Sequence, residues 1–193
     1  MAPSETLTAE RILEATEEVL RRHGPAKATV VDVARALGVS HGTVYRHFRT
    51  KAALREAVTK RWLDRTSETL SGFVTEDRDP ETRLRNWLAG LFDAKRKKAG
   101  GDPELFATYS FLAEEAGEAV SEHIAELTGQ LTEIVRAGVD SGAFTVPDPA
   151  VAARAVFQAT GRFHDPSYAR EWLKPGVEGE FGDMVELLVR GLR

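Results

Sequence analysis

The chain has 193 residues, with 26 Lys plus Arg against 30 Asp plus Glu and no cysteine. The lack of cysteine excludes disulfides, thiolate zinc sites and cysteine nucleophiles, and it is typical of a reducing compartment. The first residues lack the apolar core of a signal peptide, and no later stretch approaches the roughly 20 apolar residues of a membrane span. We therefore expect a cytoplasmic protein without a membrane partner.

The charge is distributed unevenly along the chain. Residues 1–65 hold 12 Lys plus Arg against 8 Asp plus Glu, whereas residues 66–193 hold 14 against 22. Within residues 25–65 the count is 9 basic against 3 acidic. A protein that binds a polyanion gains free energy from released counterions. The front of the chain is therefore where a nucleic acid would bind, despite the overall charge of −4.

Capping residues and glycines predict two helices before residue 39. The first is expected to begin after Thr8 and to stop at Gly24, which precedes a proline. Thr29, followed three residues later by Asp32, is typical of a capping box that opens the second helix. Gly38 then provides the left-handed residue that commonly ends a helix.

A third helix is predicted from His41 to Phe48, with Ser40 as its N-cap. It is too short to be stable alone, so Val44 and Phe48 must pack against the two helices before it. The outward positions carry hydrogen-bond donors and planar rings but no acid, which suits phosphates and base edges. These positions are His41, Gly42, Thr43, Tyr45, Arg46 and His47. Thr50 is expected to cap a fourth helix that continues to about Phe73.

This segment resembles the signature of the tetracycline-repressor (TetR) family of bacterial transcriptional regulators. The residues that carry the resemblance are Val39, Ser40, Gly42, Thr43, Tyr45, His47, Phe48, Lys51 and Leu54. The match covers roughly residues 8–65, and beyond it only the helical architecture is similar. The resemblance implies an all-α fold. Residues 1–52 would form a three-helix helix-turn-helix DNA-binding domain, and residues 53–193 a helical effector-binding and dimerisation domain.

The resemblance also implies individual DNA contacts. Tyr45 and His47 would touch the backbone or nearby bases, while Thr43 and Lys51 would bind phosphates. Arg is the best side chain for a bidentate contact with guanine, so Arg46 is a candidate for base choice. The alternatives are that the two rings cover the motif's own core and that Arg46 is a solvated cation. The predicted DNA-binding residues are Thr29, His41, Gly42, Thr43, Tyr45, Arg46, His47 and Lys51.

Apolar stripes at helical spacing predict further helices after residue 65. One begins at Pro80 and ends in a basic run at residues 95–98, before two glycines. Cations at a helix C-terminus offset its dipole, so we expect a solvated end, with contact to an anionic ligand or DNA as the alternative. A short helix follows from Pro103, then a longer one, and two more come after a loop at residues 140–149.

Two sets of body residues are candidates for binding. A largely apolar small-molecule effector would be lined by Trp87, Leu91, Phe106, Tyr109, Leu112 and Phe157, although such stripes are more often plain core. A homodimer interface would use the last two helices, where small residues allow close approach. Its candidates are Ala152, Ala155, Val156, Ala159, Phe163, Met184, Leu187 and Leu188.

Enzymatic function is not expected. The five histidines show no paired metal spacing, and there is no glycine-rich phosphate loop or nucleophile elbow. We predict no catalytic residue, metal or cofactor. The sequence favours a homodimeric repressor of a palindromic operator on double-stranded DNA, released by a small-molecule effector. A DNA-binding regulator or architectural protein without a ligand, or a transcriptional activator, is the alternative.

Overall fold

A computed structural model describes residues 7–193, and it is helical throughout that range, with no strand. The helices are α1 (Ala9–Lys27), α2 (Val30–Leu37), α3 (His41–His47), α4 (Lys51–Val74), α5 (Pro80–Gly101), α6 (Pro103–Glu115), α7 (Gly117–Asp140), α8 (Pro149–Ala159) and α9 (Val177–Leu192). The predicted all-α class is confirmed. The first six residues of the predicted DNA-binding domain lie outside the described residues.

Packing divides the chain into two compact units. The head unit comprises the chain up to Trp62 together with Asp102–Val120, and the body unit comprises Leu63–Gly101 and Ser121–Arg193. The predicted boundary after residue 52 separates a DNA-binding domain from an effector-binding and dimerisation domain, and this functional division stays a prediction. In packing terms the head unit also contains α6, because α6 contacts α1.

The head unit is built around side chains that have almost no solvent exposure. Ile12 of α1 and Val44 of α3 are fully buried, as expected from their positions on the apolar faces. Trp62 of α4 stacks on Tyr109 of α6 with ring centroids 4.7 Å apart and planes 6° apart. Helix α1 bends at Gly24, whose φ of 69° is the left-handed conformation that glycine adopts most readily.

The body unit has its own apolar core. Buried side chains from the end of α4 and from α5, α7, α8 and α9 form one cluster, with Leu84, Trp87 and Leu131 fully buried. Gly138 allows the close approach of Phe144, since a Cβ there would lie 2.0 Å from the Phe144 ring. The core thus depends on side chains that are far apart in sequence.

Residues 160–176 connect α8 to α9 and are named the connector here. The connector has only two short 3₁₀ turns, yet Phe163 and Trp172 are buried. The Trp172 indole N–H donates to the Arg162 carbonyl at 2.8 Å, which closes the segment on itself. It is therefore a packed part of the body unit rather than a loose loop.

The end of α5 differs from the prediction. The helix continues through the basic run to Gly101, and Lys95 is buried, whereas Lys97 is exposed. The expectation that the whole run is a solvated helix end was therefore wrong for Lys95. Helical periodicity explains the difference, because Lys95 lies three residues after the buried Phe92 and four before the buried Ala99.

Candidate nucleic-acid interface

Helix α2 begins with the predicted capping box. The Thr29 hydroxyl accepts from the Asp32 backbone N–H at 3.2 Å, and the Asp32 carboxylate accepts from the Thr29 backbone N–H at 3.2 Å. The hydrogen bond from the Thr29 side chain is the main reason that the pKa of Asp32 is lowered. Arg35 also pairs with Asp32 at 2.8 Å. Asp32, the acid in the first turn of α2, is thereby engaged, and Thr29 remains exposed at the surface.

The turn between α2 and α3 has the geometry that the sequence predicts. Gly38 has φ 67° and ψ 27°, and its N–H bonds back to the last turn of α2. The Ser40 hydroxyl accepts from the Thr43 backbone N–H at 3.2 Å and lies 3.0 Å from the Thr43 hydroxyl. The Arg46 guanidinium donates to that Thr43 hydroxyl at 3.3 Å. These bonds order the first turn of α3 and one of its cations.

The outer face of α3 carries the predicted contact residues. Tyr45 is 39% exposed and meets His41 edge to face with ring centroids 6.3 Å apart. Arg46 and His47 are also exposed, and Thr43 is half-buried. Val44 points inward and Phe48 is half-buried, as expected. This face therefore offers rings and cations with no acid of its own.

Gly42 is exposed on the same helix. A Cβ built there would meet only the Ser40 hydroxyl, at an ordinary 3.7 Å. The fold of the protomer therefore does not require glycine at this position. A glycine at this position leaves space for a binding partner to approach the backbone of α3, which is a reason for glycine that lies outside the protomer.

Lys51 begins α4 beside this face and is exposed. The Thr50 hydroxyl accepts from the Ala53 backbone N–H at 3.0 Å, so Thr50 is the N-cap as predicted. The free N–H groups and dipole of a helix N-terminus attract anions, and a lysine there adds a full charge. The arrangement suits a phosphate.

Arg55 of α4 is held by contacts within the head unit and is not a solvated cation. Its side chain is 22% exposed, pairs with Glu115 of α6 at 2.8 Å and donates to the Pro25 carbonyl just after the α1 bend. Arg55 therefore joins α4, α6 and the end of α1 within the head unit. Its partner lies 60 residues away, so no local pattern could have indicated it.

A second arginine of α4 fixes that helix to α1. Arg61 lies 2.6 Å from Glu10, 3.5 Å from Glu14 and 3.0 Å from Glu17. Burial disfavours the charged form, but hydrogen bonds and charge from Glu10 and Glu17 outweigh it, so the pKa of Arg61 is raised. The spacing of the three acids along one face of α1 was a usable sequence signal, although it did not reveal the partner.

The predicted effector residues are divided between the two units. Trp87, Leu91 and Phe157 belong to the body unit, whereas Phe106, Tyr109 and Leu112 belong to the head unit. All except the half-buried Phe157 are buried. The Trp87 indole N–H donates to the Gln130 side chain at 2.8 Å. These residues are core side chains of their units, and their contact with an effector stays a prediction.

The predicted dimer residues lie on two faces of α8, α9 and the connector. Val156 and Phe163 are buried in the protomer's own core and leave little surface for a partner. Ala155 and Ala159 are exposed, and Leu187 is 68% exposed. Ala152, Met184 and Leu188 are half-buried. The exposed members keep their role as predicted contacts.

Among residues 7–193, each helix is too short or too polar to span a membrane. The same range contains no group of three or more His, Cys, Asp or Glu residues that could hold a metal ion.

Comparison with known families identifies the class. Residues 12–58 match the family model described as bacterial regulatory proteins, tetR family, and residues 80–185 match the tetracyclin repressor-like C-terminal domain. The chain therefore belongs to the TetR family of helix-turn-helix transcriptional regulators. This confirms the predicted family, its DNA-binding class and its two-part helical architecture.

Individual relatives are more distant. An uncharacterised HTH-type transcriptional regulator of Mycobacterium tuberculosis is 33% identical over 78 residues, which are 40% of this chain and only 39% of that protein. The structure of SmeT, repressor of the Stenotrophomonas maltophilia multidrug efflux pump SmeDEF, aligns with a TM-score of 0.69 at 21% identity, covering 96% of this chain and 90% of SmeT. FadR of Bacillus subtilis, solved with stearoyl-CoA, aligns with a TM-score of 0.69 at 20% identity, covering 96% and 100%. The two structures support the fold alone.

Proposed function

We propose that this chain is a homodimeric repressor that occupies a near-palindromic operator and leaves it when a small molecule binds to its helical body. The observation that carries the proposal is the outer face of α3, where exposed rings and cations stand beside Lys51 with no acid among them. Such a face fits the major groove, where Arg46 could read a guanine edge and Lys51 could bind a phosphate.

Helix length makes a dimer part of this proposal. Seven residues of α3 span about 10 Å at 1.5 Å per residue, so a single copy can contact only a few base pairs. Two copies about 34 Å apart would meet successive major grooves and double the sequence that is read. Two-fold symmetry in the protein then requires an inverted repeat in the operator.

Exposed apolar side chains on α8 and α9 support the choice of dimer surface. Leu187 of α9 is 68% exposed and Val151 of α8 is 51% exposed. Neither contributes to the buried core of the protomer. Covering them with a second copy would remove apolar surface from water, which is the main driving force for obligate association.

Release by an effector is the remaining part of the proposal. The SmeT structure with triclosan and the FadR structure with stearoyl-CoA are examples of complexes in proteins of similar fold. In this chain an effector would favour a conformation in which the two α3 helices no longer match the spacing of the grooves. By linkage, operator DNA would then weaken effector binding by the same factor.

Selection from random duplexes tests the DNA part directly. The full-length protein is incubated with a random 30-base-pair library at low ionic strength, and the bound duplexes are sequenced. We expect an inverted repeat whose half-sites are centred about 10 base pairs apart or a multiple of that distance. Recovery of no enriched motif, or of a motif without two-fold symmetry, contradicts the proposal.

A ligand-free regulator is distinguished by a stability screen. A compound that binds the native state alone raises the midpoint of thermal unfolding by mass action. We expect some members of a small-molecule library to raise the midpoint and to weaken operator binding together. Compounds that raise the midpoint without any change in operator affinity would contradict the coupling.

A further inference from the structure

Lys95 of α5 is the least expected residue in the body unit. It is 7% exposed, and within residues 7–193 its ammonium group makes no hydrogen bond and no ion pair within 4.0 Å. Two other buried polar groups of this unit do have close partners: the Ser67 hydroxyl lies 3.0 Å from His123 Nδ1, and the Thr160 hydroxyl donates to the Val156 carbonyl at 3.0 Å. A buried charge without a close partner is costly, so Lys95 calls for an explanation.

Asp165, the acid whose charge acts on Lys95, does not neutralise it at close range. Asp165 of the connector interacts with it electrostatically, but its carboxylate accepts from the Ser167 backbone N–H at 2.9 Å and from the Ser167 hydroxyl at 2.5 Å. Burial raises the pKa of Asp165, but the hydrogen bonds from Ser167 and the charge of Lys95 outweigh this effect and lower the pKa. Asp165 therefore caps a 3₁₀ turn, and the ammonium group is left for another anion.

His164 forms the second polar group beside Lys95. Its Nε2 lies 2.9 Å from the Phe157 carbonyl, and its ring stacks on the Phe157 ring with centroids 4.3 Å apart. Burial is the main cause that lowers the pKa of His164, so the ring is neutral near pH 7. With His164 neutral, Nε2 must donate to the carbonyl and Nδ1 is an acceptor. The positive charge of the cluster thus belongs to Lys95.

Aromatic side chains adjoin the same position. Phe92 precedes Lys95 by three residues on the same face of α5, and its ring centroid lies 5.4 Å from that of Phe163 and 4.8 Å from that of Phe181. Phe163 immediately precedes His164 in the connector. Lys95 therefore shares its face of α5 with one ring of an aromatic cluster, and Phe181 is the member of that cluster that is only half-buried.

We infer that Lys95 is the anchor for the carboxylate of an amphiphilic organic acid whose apolar part lies against Phe181, the half-buried member of this aromatic cluster. The acid would be the effector of the proposed repressor, so the inference rests on the proposed function and names its ligand class. A carboxylate supplies the close negative partner that the folded chain lacks. The apolar tail distinguishes the ligand from an inorganic anion.

Matched ligands and matched lysines test this inference. Thermal unfolding and calorimetric titration are performed on the full chain with octanoate, with phenylacetate, with 1-octanol as the neutral counterpart, and with acetate at equal ionic strength. The variants are Lys95→Met, which keeps the length and apolar stem of the side chain, and Lys97→Met, which removes an exposed charge two residues away. Operator retention is recorded in the same series.

At least one of the two amphiphilic acids is expected to raise the unfolding midpoint of the wild type and of the control variant Lys97→Met. Its affinity should fall at least about tenfold in Lys95→Met, because a buried charge pair loses one partner. Acetate and 1-octanol should give no comparable rise. The inference is overturned if neither acid binds, if Lys95→Met binds it as tightly as the wild type, or if the neutral alcohol or acetate is equally effective.

Operator retention separates this inference from the proposed function. If 1-octanol but neither acid releases DNA, the repressor proposal stands and the ligand class is wrong. If the acid binds in a Lys95-dependent manner while the protein retains no DNA, the ligand site stands and the repressor proposal is wrong.

Discussion

Two regions of the molecule place their charges in opposite environments. One is the turn between α2 and α3, and the other is the region around Lys95. Around α3 the cations are exposed and are set by caps and turns a few residues away. Around Lys95 the cation is buried, and the groups beside it come from a segment about 70 residues later in the chain. A surface that binds a large polyanion gains from exposed charge, whereas a site for a small ligand gains from charge that water does not screen.

The largest effect should come from disrupting the exposed surface of α9. Leu187→Asp places a charge on the predicted dimer surface, and Leu187 is 68% exposed, so the protomer core is not altered. We expect a monomer and at least about a hundredfold loss of operator affinity, since two half-sites are no longer bound together. Analytical ultracentrifugation and fluorescence anisotropy measure the two outcomes.

Leu173→Asp is the matched control, because Leu173 is a 60% exposed leucine of the connector. It should leave both the mass in solution and operator affinity unchanged. A monomeric Leu187→Asp variant that still binds the operator tightly would break the link between dimerisation and DNA binding.

The buried cation makes the stability of the body depend on pH. Burial lowers the pKa of Lys95 from its ordinary value of 10.5 to about 8, against the weaker effect of Asp165. Folding therefore disfavours the protonated form, and this penalty, about 3 kcal/mol, is full below pH 8 and disappears as the pH rises to about 10.5. Lys95→Met lacks the penalty at every pH.

Urea unfolding of both proteins between pH 7 and 10.5 checks this expectation. The stability advantage of Lys95→Met over the wild type should shrink by about 3 kcal/mol across that range. Other titrating groups affect both proteins equally and cancel in the difference. An advantage that stays constant with pH would show that Lys95 is not buried as a cation.

The two regions also differ in how much of them the sequence predicts. The caps at Thr29, Ser40 and Thr50 and the helix end at Gly38 are all confirmed, because each depends on residues within three or four positions. The positions of the contact residues on the outer face of α3 follow from the same local periodicity. Their contact with DNA stays a prediction.

The polar interior of the body could not be predicted in this way. The bond between Trp87 and Gln130 joins residues 43 positions apart, and the contact between Ser67 and His123 joins residues 56 apart. Lys95 was placed at a solvated helix end because the glycines after it suggested that the helix stopped there. The helix instead continues to Gly101, three residues beyond the basic run, and Lys95 lies on the same buried face as Phe92 and Ala99.

An intermediate effect is expected at the position proposed to read a base. Arg46→Ala should cost about 1–3 kcal/mol of operator affinity and relax the preference at one base pair of each half-site. Arg49→Ala is the control, since Arg49 is an exposed cation outside the predicted contacts. Anisotropy titrations with operators altered at single base pairs measure both. An equal loss of operator affinity in both variants, with no change in base preference, would show that Arg46 contributes only its positive charge and does not read a base.

The smallest effect should be found at Gly42. Gly42→Ala replaces an exposed helical glycine where a Cβ meets only ordinary contacts, so the unfolding free energy should be unchanged or rise by up to about 1 kcal/mol. Operator affinity should fall all the same, because the methyl group lies on the face proposed to meet DNA. Gly72→Ala, at a helical position with open space, should leave operator affinity unchanged. Undiminished affinity in Gly42→Ala would place DNA farther from this backbone.

The most direct test of the account is the affinity of Tyr45→Ala/Lys51→Ala for the selected operator, measured by anisotropy over a series of salt concentrations. Both side chains are exposed, so the fold should be retained. The account predicts at least about a tenfold loss of affinity and a salt dependence shallower by about two counterions, because one phosphate contact is removed from each of the two heads. Affinity and salt dependence equal to those of the wild type would contradict the claim that the outer face of α3 binds DNA.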